Sequence, residues 1–408
     1  MSQQQQSWST SLIVGLILAA LVYIVYVWVR LVIPVELIEV RKAFDLPMTS
    51  AGFLATIHTL GIAIPAIPFG FLVVRYGTRL SLFLGAVVFS LGIAWPPFGL
   101  GLGDLAAAQV VSGMGEGLYN VALFSLIGGL SAKYRGTLTG CAVSTFGIGM
   151  VTGPIVISNI MVRTGDWRAA FFILAVSGII GAVFLFVALR GHEIMSDRRT
   201  GPITIDRLRR VLVPRNIAVC AVGALNGFAM NAFTAVFMTF LRTRHEMDMK
   251  TAGAVMSLFG IGLICGGAPS GYIADKIGRK NFLLIALIGC ALFSTLAFWA
   301  PSTPWVLAAL AFGYGWGENS THGSVYALIQ DQVEKQDIPI GTGVMATIYF
   351  LTAAVSGYLI VAAREALGWE WGSITIFVLS YAVASIIMLW LMSGGRGAAK
   401  AEAAKPAA

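Results

Sequence analysis

The sequence predicts an all-α membrane protein whose twelve transmembrane helices form two six-helix bundles related by an internal repeat, and three observations carry that prediction. The first is composition. Of 408 residues, 57% are hydrophobic and only 11% charged, and the mean hydropathy is +0.83, far outside the range of soluble globular domains. The second is a set of twelve near-continuous apolar runs, each close to the roughly 20 residues a helix needs to cross about 30 Å of hydrocarbon. The third is self-similarity at an offset of about 201 residues. Ser50-Ala51-Gly52 returns as Thr251-Ala252-Gly253, Pro68-x-Gly70 as Pro269-x-Gly271, and Gly113-Met114-Gly115-Glu116-Gly117 as Gly315-Trp316-Gly317-Glu318-Asn319.

The predicted spans are 10–38, 48–74, 80–98, 103–131, 136–162, 167–190, 214–241, 249–274, 281–300, 303–331, 341–363 and 370–393. They divide the chain into an N-terminal bundle (1–190), a linker (191–213), a C-terminal bundle (214–395) and a low-complexity, disordered tail (396–408). The charged run from Ser196 to Arg210 reads as a solvated linker, with a lipid-headgroup role secondary. Of the 27 Lys and Arg, 18 fall in the linker, the tail and the loops on one side, and 8 on the other. The positive-inside rule therefore places both termini in the cytoplasm, and the chain is expected to sit in a bacterial inner membrane as a monomer. The net charge of +8 reports this topology, and no nucleic-acid partner is expected. Residues 1–10 lack Lys, Arg and a small-residue cleavage site, so they read as a short tail before a retained helix.

In span 1, Tyr23, Tyr26 and Arg30 share one helical face, and Arg30 is the one cation well inside an apolar run. The bland alternative is an Arg that snorkels to the outer interface from a helix ending early at Pro34. His58 in span 2 has no acidic neighbour in its own span and reads as a packing residue. Span 4 carries Gln109, Gly113, Glu116 and Asn120 as a polar stripe on one face, suited to a cavity or a partner helix. A charge at the bilayer centre costs about 2.5–3.5 kcal/mol on insertion scales, so Glu116 is a functional candidate. In the second half, span 7 offers Gly227, Asn231, Thr234 and Met238 on one face, and Asn231 is the repeat partner of Arg30. Span 10 offers Glu318, Thr321, His322 and Tyr326. An imidazole one turn from an acid can relay protons, or can merely tie span 10 to a neighbour.

The remaining motifs read as structural. The turns Gly165-Asp166-Trp167-Arg168 and Gly368-Trp369-Glu370-Trp371 look like interfacial aromatic anchors. His245-Glu246-Met247-Asp248-Met249 lacks a second His or Cys at ligand spacing and reads as a solvated loop, not a metal site. Cys141, Cys220, Cys265 and Cys290 are separate core thiols. With no phosphate loop, nucleophile elbow or cofactor motif, the chain does not read as an enzyme or an ATP-driven pump.

Between spans 2 and 3 the chain reads Gly70-Phe71-Leu72-Val73-Val74-Arg75-Tyr76-Gly77-Thr78-Arg79, and between spans 8 and 9 Gly271-Tyr272-Ile273-Ala274-Asp275-Lys276-Ile277-Gly278-Arg279-Lys280. A Gly for close helix approach and a turn Gly between cations suit a tight loop that clamps neighbouring helices. These decapeptides resemble the loop signature of the major facilitator superfamily, whose acidic position is Asp275 in the second copy and Val74 in the first. The resemblance implies two six-helix bundles around a central cavity and gating roles for Gly70, Arg75, Gly77, Arg79, Gly271, Asp275, Gly278 and Arg279.

The Gly-x-Gly-Glu-Gly sequence of span 4 resembles the anion:cation symporter branch of that superfamily, in which a span 1 Arg and a span 4 Glu work together. The branch has Asp where this chain has Val29, and many superfamily members have Arg where it has Gln109. The resemblance implies proton-coupled uptake of a small organic anion such as a carboxylate or sugar acid. Arg30 would bind the carboxylate, with Tyr23, Tyr26, Asn120, Asn231 and Thr234 around the substrate. Glu116, Glu318 and His322 are the candidate proton carriers. In the empty carrier Arg30 is expected to hold Glu116 ionised, until an incoming anion takes Arg30 and Glu116 takes a proton. Span 5 contains Gly149-Met150-Val151-Thr152-Gly153-Pro154, which resembles half of the drug/proton antiporter pattern but also suits helix packing. Export by proton antiport and a non-transporting scaffold or receptor are the alternatives.

Overall fold

A computed structural model describes residues 9–46, 50–192 and 205–403, with side chains for all of these except 51 and 394–403. The described residues are helical almost throughout. Span 1 is Thr10–Val35, span 4 Leu102–Leu130, span 5 Arg135–Thr164, span 6 Arg168–Ala188, span 7 Pro214–Thr243, span 9 Arg279–Trp299 and span 10 Pro304–Gln332. Span 2 is broken at Ile64 and Pro65 into Ser50–Ala63 and 66–76, and span 8 at Gly267 into Met249–Gly266 and Ala268–Ile277. Spans 2 and 3 run into each other through Gly77, and spans 11 (338–367) and 12 (369–403) through Gly368. Both glycines sit at positive φ, 81° and 80°, which a side chain would strain.

Nine of the described helices are long and apolar enough to cross a membrane on their own. Three features account for the twelve spans of the sequence reading. Span 10 is too polar to qualify, span 2 is interrupted, and spans 11 and 12 form one continuous helical stretch. Gly278, 201 residues after Gly77, has φ 94°, so the repeat extends to the backbone of the two gating loops.

Several boundaries differ from expectation. Span 1 passes through Pro34 and stops at Val35, followed by a short helix, Leu37–Phe44. The first part of the charged linker run, 196–199, lies outside the described residues. The second part is not a solvated coil. It forms a helix, Ile205–Val211, whose buried Arg207 holds Asp337 Oδ1 at 3.0 Å while Arg210 holds Oδ2 at 3.1 Å. The reason is local: Asp337 is buried at the start of span 11 and takes its counter-charges from the nearest basic helix. Span 12 continues as helix to Ala403, and the rest of the tail, 404–408, lies outside the described residues.

The two halves meet along spans 5 and 8 and along spans 2 and 11, through small residues. A Cβ on Gly70 would stand 2.6 Å from the Pro339 carbonyl, and one on Gly271 would run into Gly136. These contacts run from the end of the molecule that carries the linker to mid-span, where Val151 faces Gly260 and Thr347 Oγ1 donates to the Ala63 carbonyl at 2.9 Å. Beyond that level Pro154, Ile155, Ser158, Asn159, Val162 and Arg163 expose about half of the surface of span 5, whereas only Cys141 and Ile148 are exposed between its start and that level. The halves are thus closed at the linker end and part toward the far end.

Candidate functional site

The glycines of span 4 decide where its carboxylate lies. Gly113 and Gly117 press the helix backbone against His58 and Ile62 of span 2, while Gly115 packs on Phe89 of span 3. With no side chains between them, the helices approach closely enough to bury everything on that face. Gln109, Glu116 and Asn120 are all buried, and Glu116 is 0% exposed. The polar stripe therefore faces a partner helix, not open space, and that partner supplies a base. His58 Nε2 stands 3.1 Å from Glu116 Oε2. The pair is close but not aligned as a hydrogen bond, and all four polar atoms otherwise lack partners among the described residues. This corrects two expectations. His58 is not a mere packing residue, and the side chain beside Glu116 is the His58 imidazole, not the Arg30 guanidinium.

Arg30 is half-buried, and its guanidinium lies over the Phe350 ring of span 11, 5.8 Å from the centroid. It faces inward across the two halves and does not snorkel, and among the described residues it forms no ion pair. Tyr23 and Tyr26 lie within electrostatic reach of both Arg30 and Glu116. Tyr23 also hydrogen-bonds Asn120. The two tyrosines thus link Arg30, Asn120 and Glu116 without a direct Arg30–Glu116 pair, and His58 and Phe350 join the set.

The second half repeats the scaffold and the acid, but neither the imidazole nor the Arg. Gly315 packs on Phe259 and Leu263 of span 8 as Gly113 packs on span 2. The residue 201 positions after His58 is Phe259, so span 8 offers Glu318 no imidazole at the position equivalent to His58. Its Oε1 accepts instead from Asn226 Nδ2 at 3.2 Å. The anticipated relay between Glu318 and His322 is not formed. The His322 ring stacks on Tyr326 at 5.1 Å and meets Tyr349 edge-on at 4.8 Å. Asn231 and Thr234 turn their donors to their own helix, onto the Gly227 and Met230 carbonyls. Asn226 escaped the sequence reading because it lies off the face shared by Gly227, Asn231 and Thr234. Its signal was an amide in an apolar run.

Gating residues fall into two unequal groups. In the second loop Asp275 caps the start of span 5 in the opposite half, accepting from Gly136 N at 3.1 Å and from Thr137 N and Oγ1 at 2.8 Å. Arg279 braces it, pairing with Asp275 at 2.6 Å and with Asp331, which also receives Arg135. In the first loop Val74 leaves no such cap. Arg79 bonds the Phe186 carbonyl within its own half, and Arg75 lies over the adjacent Tyr76. The lock is therefore one-sided. Hydrogen bonds to a charged group contribute about 1.5–3 kcal/mol, so Asp275→Asn should weaken closure by about 2 kcal/mol, a shift of roughly thirtyfold toward opening at the linker end. Faster alkylation of a cysteine placed at the buried seam position Thr342 checks this; unchanged labelling means the lock lies elsewhere.

The other motifs settle into packing. Gly149 and Gly153 seat Val27, Trp28 and Leu31 of span 1. Trp167 is a buried anchor rather than an interfacial one, meeting Phe44 and Phe171, whereas Trp371 is exposed. Asp248 caps span 8 through Thr251. Of the four thiols, Cys220 and Cys290 are buried but Cys141 and Cys265 are exposed, on helix faces that lack a covering neighbour.

The profile of the Major Facilitator Superfamily matches residues 12–253 and 219–407. The chain belongs to that superfamily. Among its superfamily relatives, the hexuronate transporter of Bacillus subtilis is 25% identical over 355 residues, covering 79% of this chain and 81% of the relative. The cis,cis-muconate transport protein of Acinetobacter baylyi is 22% identical over 304 residues, covering 70% and 72%. The fucose:proton symporter of Escherichia coli superposes with a TM-score of 0.73 at 13% identity, over 94% of this chain and 99% of that one, which shows the shared fold. As a superfamily member the chain is a multi-pass integral membrane transporter of small molecules, not an enzyme.

Proposed function

We propose that this superfamily member takes up a small organic anion together with protons, with Arg30 binding the carboxylate and the Glu116–His58 pair carrying the proton. One observation carries the reading: a fully buried carboxylate with an imidazole at 3.1 Å, coupled through Tyr23 and Tyr26 to a membrane-embedded Arg that has no carboxylate partner among the described residues. Arg30 offers two parallel donors, which match a carboxylate. An anion bound there adds negative charge near Glu116 in a low-dielectric site and favours its neutral form, so anion and proton bind with positive coupling. The relatives that carry hexuronate and muconate support an acidic substrate. The linker end, with its excess of Lys and Arg, would face the cytoplasm, making this the outward-open state. Glu318 with Asn226 is the rival acid and the best support for antiport. Proteoliposomes decide between them. Acid outside should drive anion accumulation inside, and accumulation driven by acid inside would establish export by antiport.

A further inference from the structure

This inference rests on Arg30 as the carboxylate site and concerns what the rest of the substrate looks like. From Arg30 an unbroken series of rings leads across both halves. The guanidinium lies over Phe350, Phe350 meets Tyr349 at 5.1 Å, and Tyr349 meets His322 at 4.8 Å. His322 stacks on Tyr326, which stacks on Phe124 of the other half at 4.4 Å, and Phe124 leads back to Tyr23 on the helix that bears Arg30. The partly exposed members of this series are Arg30 at one end and His322 in the middle.

Several polar side chains around the site are already engaged. Asn231 and Thr234 bond their own helix, Trp28 Nε1 donates to Thr152 Oγ1 at 2.9 Å, and the Tyr119 hydroxyl donates to the Ala19 carbonyl at 2.7 Å. Asn120 Oδ1 and the Tyr326 hydroxyl are without partners among the described residues. A sugar acid brings about four hydroxyls into such a site, and each one buried without a partner is costly. A flat conjugated acid brings none, and its face can extend the stack that Arg30 and Phe350 begin.

We infer that the site selects planar conjugated or aromatic carboxylates over polyhydroxylated sugar acids. The test is calorimetric binding of benzoate, cyclohexanecarboxylate and glucuronate to the purified full chain, repeated with Phe350→Leu and Arg30→Ala. Benzoate and cyclohexanecarboxylate share charge and size and differ in flatness and π-character. Benzoate should bind about tenfold more tightly than either competitor. Phe350→Leu should bring the benzoate-to-cyclohexanecarboxylate ratio close to one, whereas a merely structural role would weaken all ligands alike. Glucuronate binding as tightly as benzoate, with Arg30→Ala abolishing both, overturns this inference and leaves the carboxylate site standing. Binding that survives Arg30→Ala overturns the carboxylate site itself.

Discussion

Glu116→Gln is expected to exchange substrate across the membrane at near wild-type rates and to fail to accumulate it. The amide mimics the protonated acid, so the carrier can load and reorient, but it no longer moves a proton with each anion. The accumulation ratio in proteoliposomes under an imposed pH gradient should fall to about one, because the coupling free energy between proton and substrate is gone. His58→Ala should also impair accumulation, since it removes the one ion-pair partner of Glu116 among the described residues. Glu318→Gln is the control. Full accumulation by Glu116→Gln with loss in Glu318→Gln would move the coupling site to span 10 and reverse the assignment made from the His58 contact.

The second large effect is on Arg30. Arg30→Ala should lower anion affinity more than about a hundredfold, because a bidentate guanidinium–carboxylate contact provides two charge-assisted hydrogen bonds of about 1.5–3 kcal/mol each. Arg30→Lys should recover little of this, because an ammonium lacks the planar fork. The fold should survive, since the Arg30 contact recorded within the protein is the ring face of Phe350. Binding titrations paired with thermal melts separate the two effects. Wild-type affinity in a folded Arg30→Ala protein would refute the assignment.

Much of this architecture was legible because it is written twice. The 201-residue offset marks the halves, the turn glycines Gly77 and Gly278, and the close-approach glycines Gly70 and Gly271. What escaped was the partner of each buried acid. Glu116 and His58 lie 58 residues apart on different helices, and their contact is set by how tightly Gly113 and Gly117 let span 4 settle on span 2. Helical periodicity places Glu116 on a face, but it does not say whether that face meets a cavity or another helix. The same limit hid Asn226 beside Glu318. The docked linker helix was hidden for another reason: a run of Arg reads as solvated unless a distant acid such as Asp337 is known to lie beneath it. Val74, by contrast, announced the one-sided lock directly, because a carboxylate cap needs a carboxylate.

The central claim is that Glu116 binds the coupled proton, and the most direct test is substrate affinity as a function of pH in wild type and Glu116→Gln. Linkage requires wild-type affinity to strengthen as pH falls through the titration of the pair, by up to about tenfold per pH unit if one proton is coupled. In Glu116→Gln the affinity should be high and flat across the same range. A variant that keeps the wild-type slope would contradict the account.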